Sequence, residues 1–175
     1  MSDADAIDLA LLLLRCGLGA VMLAHGVNHI IGGGKIAGTA RWFESLGMRP
    51  GILHAWLASA TEVGSGILLL VGLLTPLAAA GAVGVMVVAW ITNHLRNGFF
   101  IFRPGEGWEY VMTLTIIGVV VATIGPGEWS LDDAVGIRED LTGVTGLLLA
   151  VILGGGGAAA LLLGFWRPRS RTSSG

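Results

Sequence analysis

The sequence predicts an all-α membrane protein that crosses the bilayer with five helices. Hydrophobic residues make up 54% of the 175 residues and charged residues only 13%, whereas a soluble domain carries about 25% charged residues. The mean hydropathy is +0.79. The apolar residues also fall into long runs, and a run of about 18 or more residues is long enough to cross the hydrocarbon of a bilayer.

Five such runs give the predicted spans 9–31, 52–74, 76–97, 108–124 and 143–166. Residues 1–8 are acidic where a signal peptide is basic, so we expect a retained N-terminal segment outside the cytoplasm. Only a short Leu-Thr-Pro turn separates the second and third spans, and Pro76 suits the first turn of a new helix. These two spans should therefore form a tight antiparallel hairpin.

The connecting segments have different characters. Segment 35–49 mixes basic residues with Trp42, Phe43, Leu46 and Met48, which favours an amphipathic helix in the headgroup region over an irregular loop. Segment 126–142 is an acidic loop with Arg138 as its basic residue, and 167–175 is a basic tail that we expect to be disordered. From Gly146 onward the fifth span has no charged, amide or hydroxyl side chain, and its glycines favour close packing, either within the bundle or against another chain.

Basic residues predict the orientation, because Lys and Arg are retained on the cytoplasmic side. Arg15 lies within the first span and is not counted, and Arg138 is on the other side. The N-terminus is therefore expected outside and the C-terminus inside. The residues that follow the first, third and fifth spans are Lys35, Arg41, Arg49, Arg96, Arg103, Arg167, Arg169 and Arg171.

Polar residues inside the spans are the candidates for function. Glu62 lies near the middle of the second span, where an acidic side chain costs about 2.5–3.5 kcal/mol and needs a partner in the bundle. It is either a functional group or one half of a structural pair. His25 and His29 share one helix face with Asn28, because residues three and four apart are neighbours on a helix.

The predicted topology brings several polar residues to one depth at the cytoplasmic face, with Glu62 somewhat deeper. Trp42 and Phe43 of the interfacial segment should cover this region. His54, at the mouth of the second span, is expected to be interfacial. The residues at the common depth are His25, His29, His94, Glu109 and Tyr110.

Three kinds of ligand fit such a cluster. A quinone needs hydrogen-bond donors and a titratable group, which His and Glu supply. A haem with two histidine ligands needs them from opposing helices, which a His29–His94 pair offers and a His25–His29 pair does not. A divalent metal held by His and Glu is the third alternative, but we expect no dedicated metal site. No hydrolase or phosphate-binding motif is present, and no basic, aromatic-rich surface indicates nucleic acid binding.

The sequence resembles the DoxX family of bacterial membrane proteins over residues 15–133. The similar stretches are LAHGVNHIIGGGKIAG, WFESLGMRPG, TEVGSGILLLVGLLTPLAAAGAVGVMVVAW, NHLRNGFFIFRPGEGWEY and GPGEWSLDD. The family is typically a four-helix bundle, so we expect such a bundle over 9–125, followed by a fifth helix over 143–166 and a basic tail that depart from the pattern.

The resemblance implies a subunit of a redox complex in the bacterial inner membrane. One branch of the family looks like the membrane part of a thiosulfate:quinone oxidoreductase. Mycobacterial-type members are associated with an oxidoreductase assembly that contains a superoxide dismutase and a sulfurtransferase. We therefore expect a small membrane subunit linked to quinone or to thiol and sulfur chemistry, with the lipid bilayer, other subunits and a second copy of the chain as partners.

Two residues fall in the most characteristic stretches, so the resemblance assigns Glu62 and His25 as catalytic. The residues expected to bind the cofactor are His29, His94, Glu109, Tyr110 and Trp42. Two alternatives remain at this point. One is a non-catalytic anchor or assembly factor, whose buried polar groups are paired with one another. The other is a small proton-coupled carrier.

Overall fold

The computed structural model describes residues 2–168, and every regular element within them is helical. The expectation of a disordered tail concerns residues 169–175, which lie outside that range, together with Arg169 and Arg171. The elements are α1 (Asp3–Ile31), α2 (Lys35–Ser45), α3 (Gly51–Val71), α4 (Thr75–His94), α5 (Glu109–Ile124), α6 (Leu131–Ala134), α7 (Arg138–Leu141) and α8 (Val144–Phe165).

Five of these helices run the length of the bundle. By length and composition, α1, α3, α4 and α8 are each apolar enough to cross a membrane, whereas α5 is apolar but shorter, at 16 residues. At 1.5 Å per residue α5 is about 24 Å long, and it connects the end of α4 to the loops that precede α8. The all-helical membrane fold with a fifth helix is thereby confirmed.

The end of the bundle that carries α2 is called here the α2 side, and the other end is the turn side, after the turn between α3 and α4. Three hydrogen bonds join the end of α8 to the loop between α2 and α3. Trp166 Nε1 donates to Leu46 O at 3.0 Å, Arg49 N to Phe165 O at 3.2 Å, and Arg167 N to Gly47 O at 2.8 Å. α8 therefore ends on the same side as α1, as five crossings require.

Segment 35–49 contains the helix α2, which lies across one end of the bundle. Its apolar face is buried through Ala40 and Phe43, whereas Lys35 and Arg41 are exposed. A helix with one buried apolar face and a basic outer face is typical of elements that lie along a membrane surface.

On the turn side, a buried arginine caps the end of α3. The last four carbonyl groups of a helix have no partner within it. The Arg15 side chain is 2% exposed, and its Nη1 donates to the carbonyl oxygens of Leu69 and Leu70, each at 2.8 Å. Its Nη2 also donates to Trp129 O in the loop after α5. Arg15, which the sequence left unassigned, thus joins three segments of the chain.

A buried aspartate caps the start of α4 in the same turn. Asp132 is fully buried, and its two carboxylate oxygens accept hydrogen bonds from Leu74 N at 2.6 Å and Thr75 N at 2.9 Å. The Asp132 backbone N–H donates to Gly72 O at 2.8 Å. The acidic segment is therefore folded against the bundle through α6, which its composition alone did not indicate.

The glycines of α8 pack within the bundle. A Cβ atom at Gly154 would lie 2.7 Å from Ala80 O, and one at Gly146 would lie 1.8 Å from Ala122 O. Only glycine therefore permits this approach of α8 to α4 and α5. Gly155 and Gly157 have no neighbour within 4 Å of such a Cβ atom, so the close packing comes from particular glycines and not from the whole run.

Candidate functional site

A cavity of about 640 Å³ lies on the α2 side of the bundle and extends along α4. Its walls come from α1, α2, α3, α4, α5 and α8, together with the loops that hold Met48 and Glu106. This volume falls within the range of about 300–1,000 Å³ that small-molecule sites occupy. The polar residues of its wall are His25, His29, His54, Thr61, Glu62, Thr92, Asn93, His94, Glu106 and Tyr110.

One polar feature of the cavity wall is a pair between α1 and α3. His29 Nδ1 lies 3.0 Å from Glu62 Oε2, and the Glu62 side chain is only 4% exposed. The two atoms are in ion-pair contact but lack the alignment of a hydrogen bond. α1 and α3 approach closely here, because a Cβ atom at Gly26 would lie 2.9 Å from Glu62 Cβ. Glu62 is thus paired with a histidine between these two helices, and pairing was one of the two alternatives that the sequence left open for it.

His94 is fully hydrogen-bonded at the end of α4. Its Nδ1 donates to Glu106 O at 3.0 Å, since a carbonyl can only accept. Its Nε2 lies 3.2 Å from the Asn93 side-chain nitrogen, which donates to it. Both ring nitrogens are engaged, so His94 holds the loop between α4 and α5 in place, although its ring also lines the cavity.

An aromatic layer from α2 covers this polar region. The ring of Trp42 lies 6.3 Å from that of His29, and the ring of Phe43 lies 6.4 Å from His29 and 6.2 Å from His54, measured between centroids. Trp42 and Phe43 both line the cavity. From the sequence, these two residues of the interfacial segment are expected to cover the polar region.

His54 is the residue that the sequence placed differently. It was expected at the interface, but it is 2% exposed and lines the cavity. Its ring makes an edge contact with Phe165 at 5.3 Å. The physical reason is tertiary, because α2 and the end of α8 fold over the first turn of α3. In the sequence His54 lies four residues after Pro50, at the start of a span, and this position alone does not indicate burial.

His25 and Tyr110 lie together on the side of the cavity formed by α1 and α5, with ring centroids 6.4 Å apart. Both are exposed side chains that line the cavity. Glu109 does not join them. Its Oε1 accepts a hydrogen bond from Ile101 N at 2.7 Å, and it does not line the cavity. Adjacent residues of a helix point about 100° apart, so depth alone did not specify the direction of Glu109.

Away from the polar residues the cavity becomes an apolar groove along α4. Small residues of α4 and α8 form its floor, and leucines form its edges. Leu57, Leu77 and Leu153 at these edges are exposed, and exposed apolar residues on membrane-spanning helices contact lipid. The groove therefore borders the hydrocarbon of the bilayer. The floor comprises Ala80, Gly81, Gly84, Gly154, Gly157 and Ala158.

The donor set also bears on the alternative ligands. A haem held between His29 and His94 would require both rings to leave their present partners, Glu62 and Glu106 O. Among residues 2–168, no three His, Cys, Asp or Glu side chains are grouped to hold a metal ion. By contrast, His54 lines the cavity, and its buried Nε2 has no hydrogen-bond partner among residues 2–168.

Comparison with known proteins agrees with this fold. The family model described as DoxX matches residues 10–95. The segment belongs to the DoxX family. An uncharacterized membrane protein of Mycobacterium tuberculosis is 28% identical over 144 residues, which cover 77% of this chain and 86% of the relative. No solved structure matches the chain significantly. The chain is accordingly a multi-pass membrane protein that contains a DoxX-family segment.

The DoxX segment supplies most of the polar wall, whereas α5 and α8 complete the cavity from outside it. Tyr110 and the groove residues of α8 lie beyond residue 95. The pair of His29 and Glu62 therefore belongs to the family segment, whereas the apolar groove depends on α8, which lies outside it. The polar wall residues within the segment are His25, His29, His54, Thr61, Glu62, Thr92, Asn93 and His94.

Proposed function

We propose that this DoxX-family protein is a small integral subunit of a quinone-linked membrane oxidoreductase, and that its cavity binds the quinone. The observation that carries the proposal is that one cavity contains both a polar pair and an apolar groove. A buried His29–Glu62 pair lies at one end, and an apolar groove bordered by lipid-facing leucines lies along the other. A ligand with a polar head and an apolar tail matches both.

The polar end suits a head group that exchanges protons. Histidine titrates near neutral pH, and a carboxylate beside it is a second proton acceptor. Under this proposal Glu62 and His29 hold the head group and exchange protons with it, while His25 and Tyr110 line the exposed side of the same cavity. The electron-transfer chemistry of flavin, haem or iron–sulfur groups belongs to partner subunits.

The orientation completes the proposal. The α2 side carries Lys35, Arg41, Arg49, Arg96, Arg103 and Arg167, whereas Arg138 lies on the turn side and is 3.2 Å from Asp133. We propose that the α2 side faces the cytoplasm of a bacterial cell, with the N-terminus outside, because basic residues are retained inside. The polar end of the cavity then lies near the cytoplasmic surface, where partner subunits have access to it.

The first experiment is to purify the protein from its native membrane in mild detergent and to extract and quantify bound quinone. We expect quinone with the wild-type protein and a loss with Glu62→Gln and His25→Ala. Glu128→Gln is the matched control, because that side chain is 63% exposed on the turn side and should retain the quinone. A wild-type protein that is free of quinone and of redox partners would overturn the proposal.

A second experiment tests the groove. Gly157 lines it and Gly155 does not, and neither glycine has a neighbour within 4 Å of an added Cβ atom. Gly157→Leu should fill the groove and weaken binding of a quinone with a ten-carbon tail, while binding of the tail-less quinone stays unchanged. Gly155→Leu should bind both like the wild type. Equal effects of the two variants would contradict a tail in this groove.

The non-catalytic anchor is the second candidate, and it also has a specific observation in its favour. Glu62 is already in contact with His29, and His94 has hydrogen bonds at both ring nitrogens. An anchor predicts that Glu62→Gln lowers the unfolding temperature without any change in bound quinone. A quinone site predicts the loss of quinone from a protein that remains folded, so thermal unfolding of each variant separates the two.

A further inference from the structure

His54 is the buried polar group of the cavity that the proposed function does not yet use. It is 2% exposed, it lines the cavity, and its Nε2 has no hydrogen-bond partner within residues 2–168. Buried polar atoms in folded proteins are almost always hydrogen-bonded, so an unpaired ring nitrogen requires an explanation. A ligand in the cavity would supply the missing partner.

The position of His54 relative to Glu62 suggests which ligand. Both residues lie on α3, and eight residues separate them, which corresponds to about 12 Å along the helix axis. The ring of Phe43 is near both polar groups, 6.2 Å from the His54 ring and 6.4 Å from the His29 ring between centroids. The wall thus presents two polar groups and an aromatic ring that neighbours both.

A para-quinone has a matching shape. Its two oxygens lie on opposite sides of a flat ring and are about 5 Å apart, as bond lengths require. A hydrogen bond of about 2.8 Å at each oxygen extends the span to about 11 Å. This span is similar to the rise of about 12 Å between the backbone positions of His54 and Glu62 along α3. A quinone ring held by these two residues would lie beside Phe43, since aromatic rings pack favourably against one another.

We propose that His54 binds the second oxygen of a membrane-dissolved para-quinone or its hydroquinone, at the end of the head group opposite His29 and Glu62. This inference rests on the proposed function of the cavity. A ring nitrogen of neutral imidazole donates a hydrogen bond in the tautomer that protonates it and accepts one in the other tautomer. His54 is therefore able to donate to a quinone carbonyl or to accept from a hydroquinone hydroxyl.

The test is a titration of the purified protein with decylubiquinone, followed by quenching of tryptophan fluorescence, since Trp42 lines the cavity. His54→Leu should bind about tenfold more weakly, because it removes the hydrogen bond. His54→Gln keeps a donor and an acceptor and should stay within about threefold of the wild type. Leu53→Ala is the control, because Leu53 is an exposed neighbour on α3 that does not line the cavity.

Thermal unfolding without quinone separates binding from a structural role. The ring nitrogen Nε2 has no hydrogen-bond partner to lose within the described residues, but both substitutions remove the hydrogen bond of the ring with the Arg49 backbone. His54→Leu and His54→Gln should therefore unfold at similar temperatures. A lower unfolding temperature for His54→Leu than for His54→Gln would assign its weaker quinone binding to a structural role of the ring and would overturn the inference.

The Glu62→Gln variant in the same titration separates the two proposals. Weak binding by Glu62→Gln with wild-type binding by His54→Leu would overturn the role of His54 and leave the proposed function intact. No saturable binding by the wild-type protein would overturn both.

Discussion

The buried carboxylate of Asp132 should stabilise the turn between α3 and α4 strongly. Its two oxygens accept hydrogen bonds from Leu74 N at 2.6 Å and Thr75 N at 2.9 Å, and the side chain is fully buried. Substitution of Asp132 by Asn keeps the shape, but it replaces one oxygen with an NH₂ group that faces a backbone N–H. One hydrogen bond to a charged group is lost, and the backbone N–H and the new NH₂ group face each other as unpaired donors.

The magnitude follows from these two losses. A hydrogen bond to a charged group contributes about 1.5–3 kcal/mol, and an unpaired buried donor costs about 1–3 kcal/mol. Because the two losses overlap, we expect Asp132→Asn to lower the free energy of unfolding by about 2–4 kcal/mol. The assay is SDS titration of the protein in mixed micelles, followed by circular dichroism of the helices.

The adjacent residue provides the control. The Asp133 side chain is 38% exposed and lies 3.2 Å from the Arg138 side chain, which is 27% exposed. Exposed ion pairs contribute about 0–1 kcal/mol, so Asp133→Asn should change the free energy of unfolding by less than about 1 kcal/mol. Equal effects of the two substitutions would refute the argument that the Asp132 carboxylate caps α4.

Two further predictions concern packing and orientation. Gly154→Ala should destabilise the protein by about 1–3 kcal/mol, because its Cβ atom would lie 2.7 Å from Ala80 O, whereas Gly155→Ala has open space and should be neutral in the same SDS titration. In a Cys16→Ala background, a membrane-impermeant maleimide should label Asp140→Cys but not Arg103→Cys in intact cells, because the account places the α2 side in the cytoplasm; the reverse pattern would invert the orientation.

The helices could be predicted from the sequence because hydropathy and length decide whether a segment spans a membrane. The boundaries shifted where local capping intervened. α1 begins at Asp3, well before predicted residue 9, because Ser2 and Asp5 form a reciprocal capping box at its start. α4 ends at His94, short of predicted residue 97, where the loop held by His94 begins.

The caps on the turn side could not be predicted, because their partners are remote in the sequence. Arg15 binds carbonyl groups that lie 54 and 55 residues away, and Asp132 binds amides that lie 58 and 57 residues away. Composition classifies one as a charge within a span and the other as part of an acidic loop. Only the tertiary fold shows that both residues satisfy the ends of neighbouring helices.

The sequence predicted the depth in the membrane at which the candidate residues lie, but not the direction in which each side chain points. The predicted topology placed Glu62 somewhat deeper than His29, and the structure joins the two side chains at 3.0 Å. Glu109 was expected in the same site, but its carboxylate binds Ile101 N instead. His54 was not expected in the site, because it becomes buried only when α2 and the end of α8 cover it. The catalytic and binding roles of these residues remain predictions.

The central claim is that the cavity between the His29–Glu62 pair and the α8 groove binds a quinone. The most direct measurement is photo-crosslinking of the protein in native membranes with an azido-quinone, followed by mass spectrometry of the labelled peptides. The account predicts labels on cavity residues such as Trp42, Phe43 and Leu57, and their loss in the presence of excess unlabelled quinone. Labels that are spread over the lipid-facing residues and resist competition would contradict it.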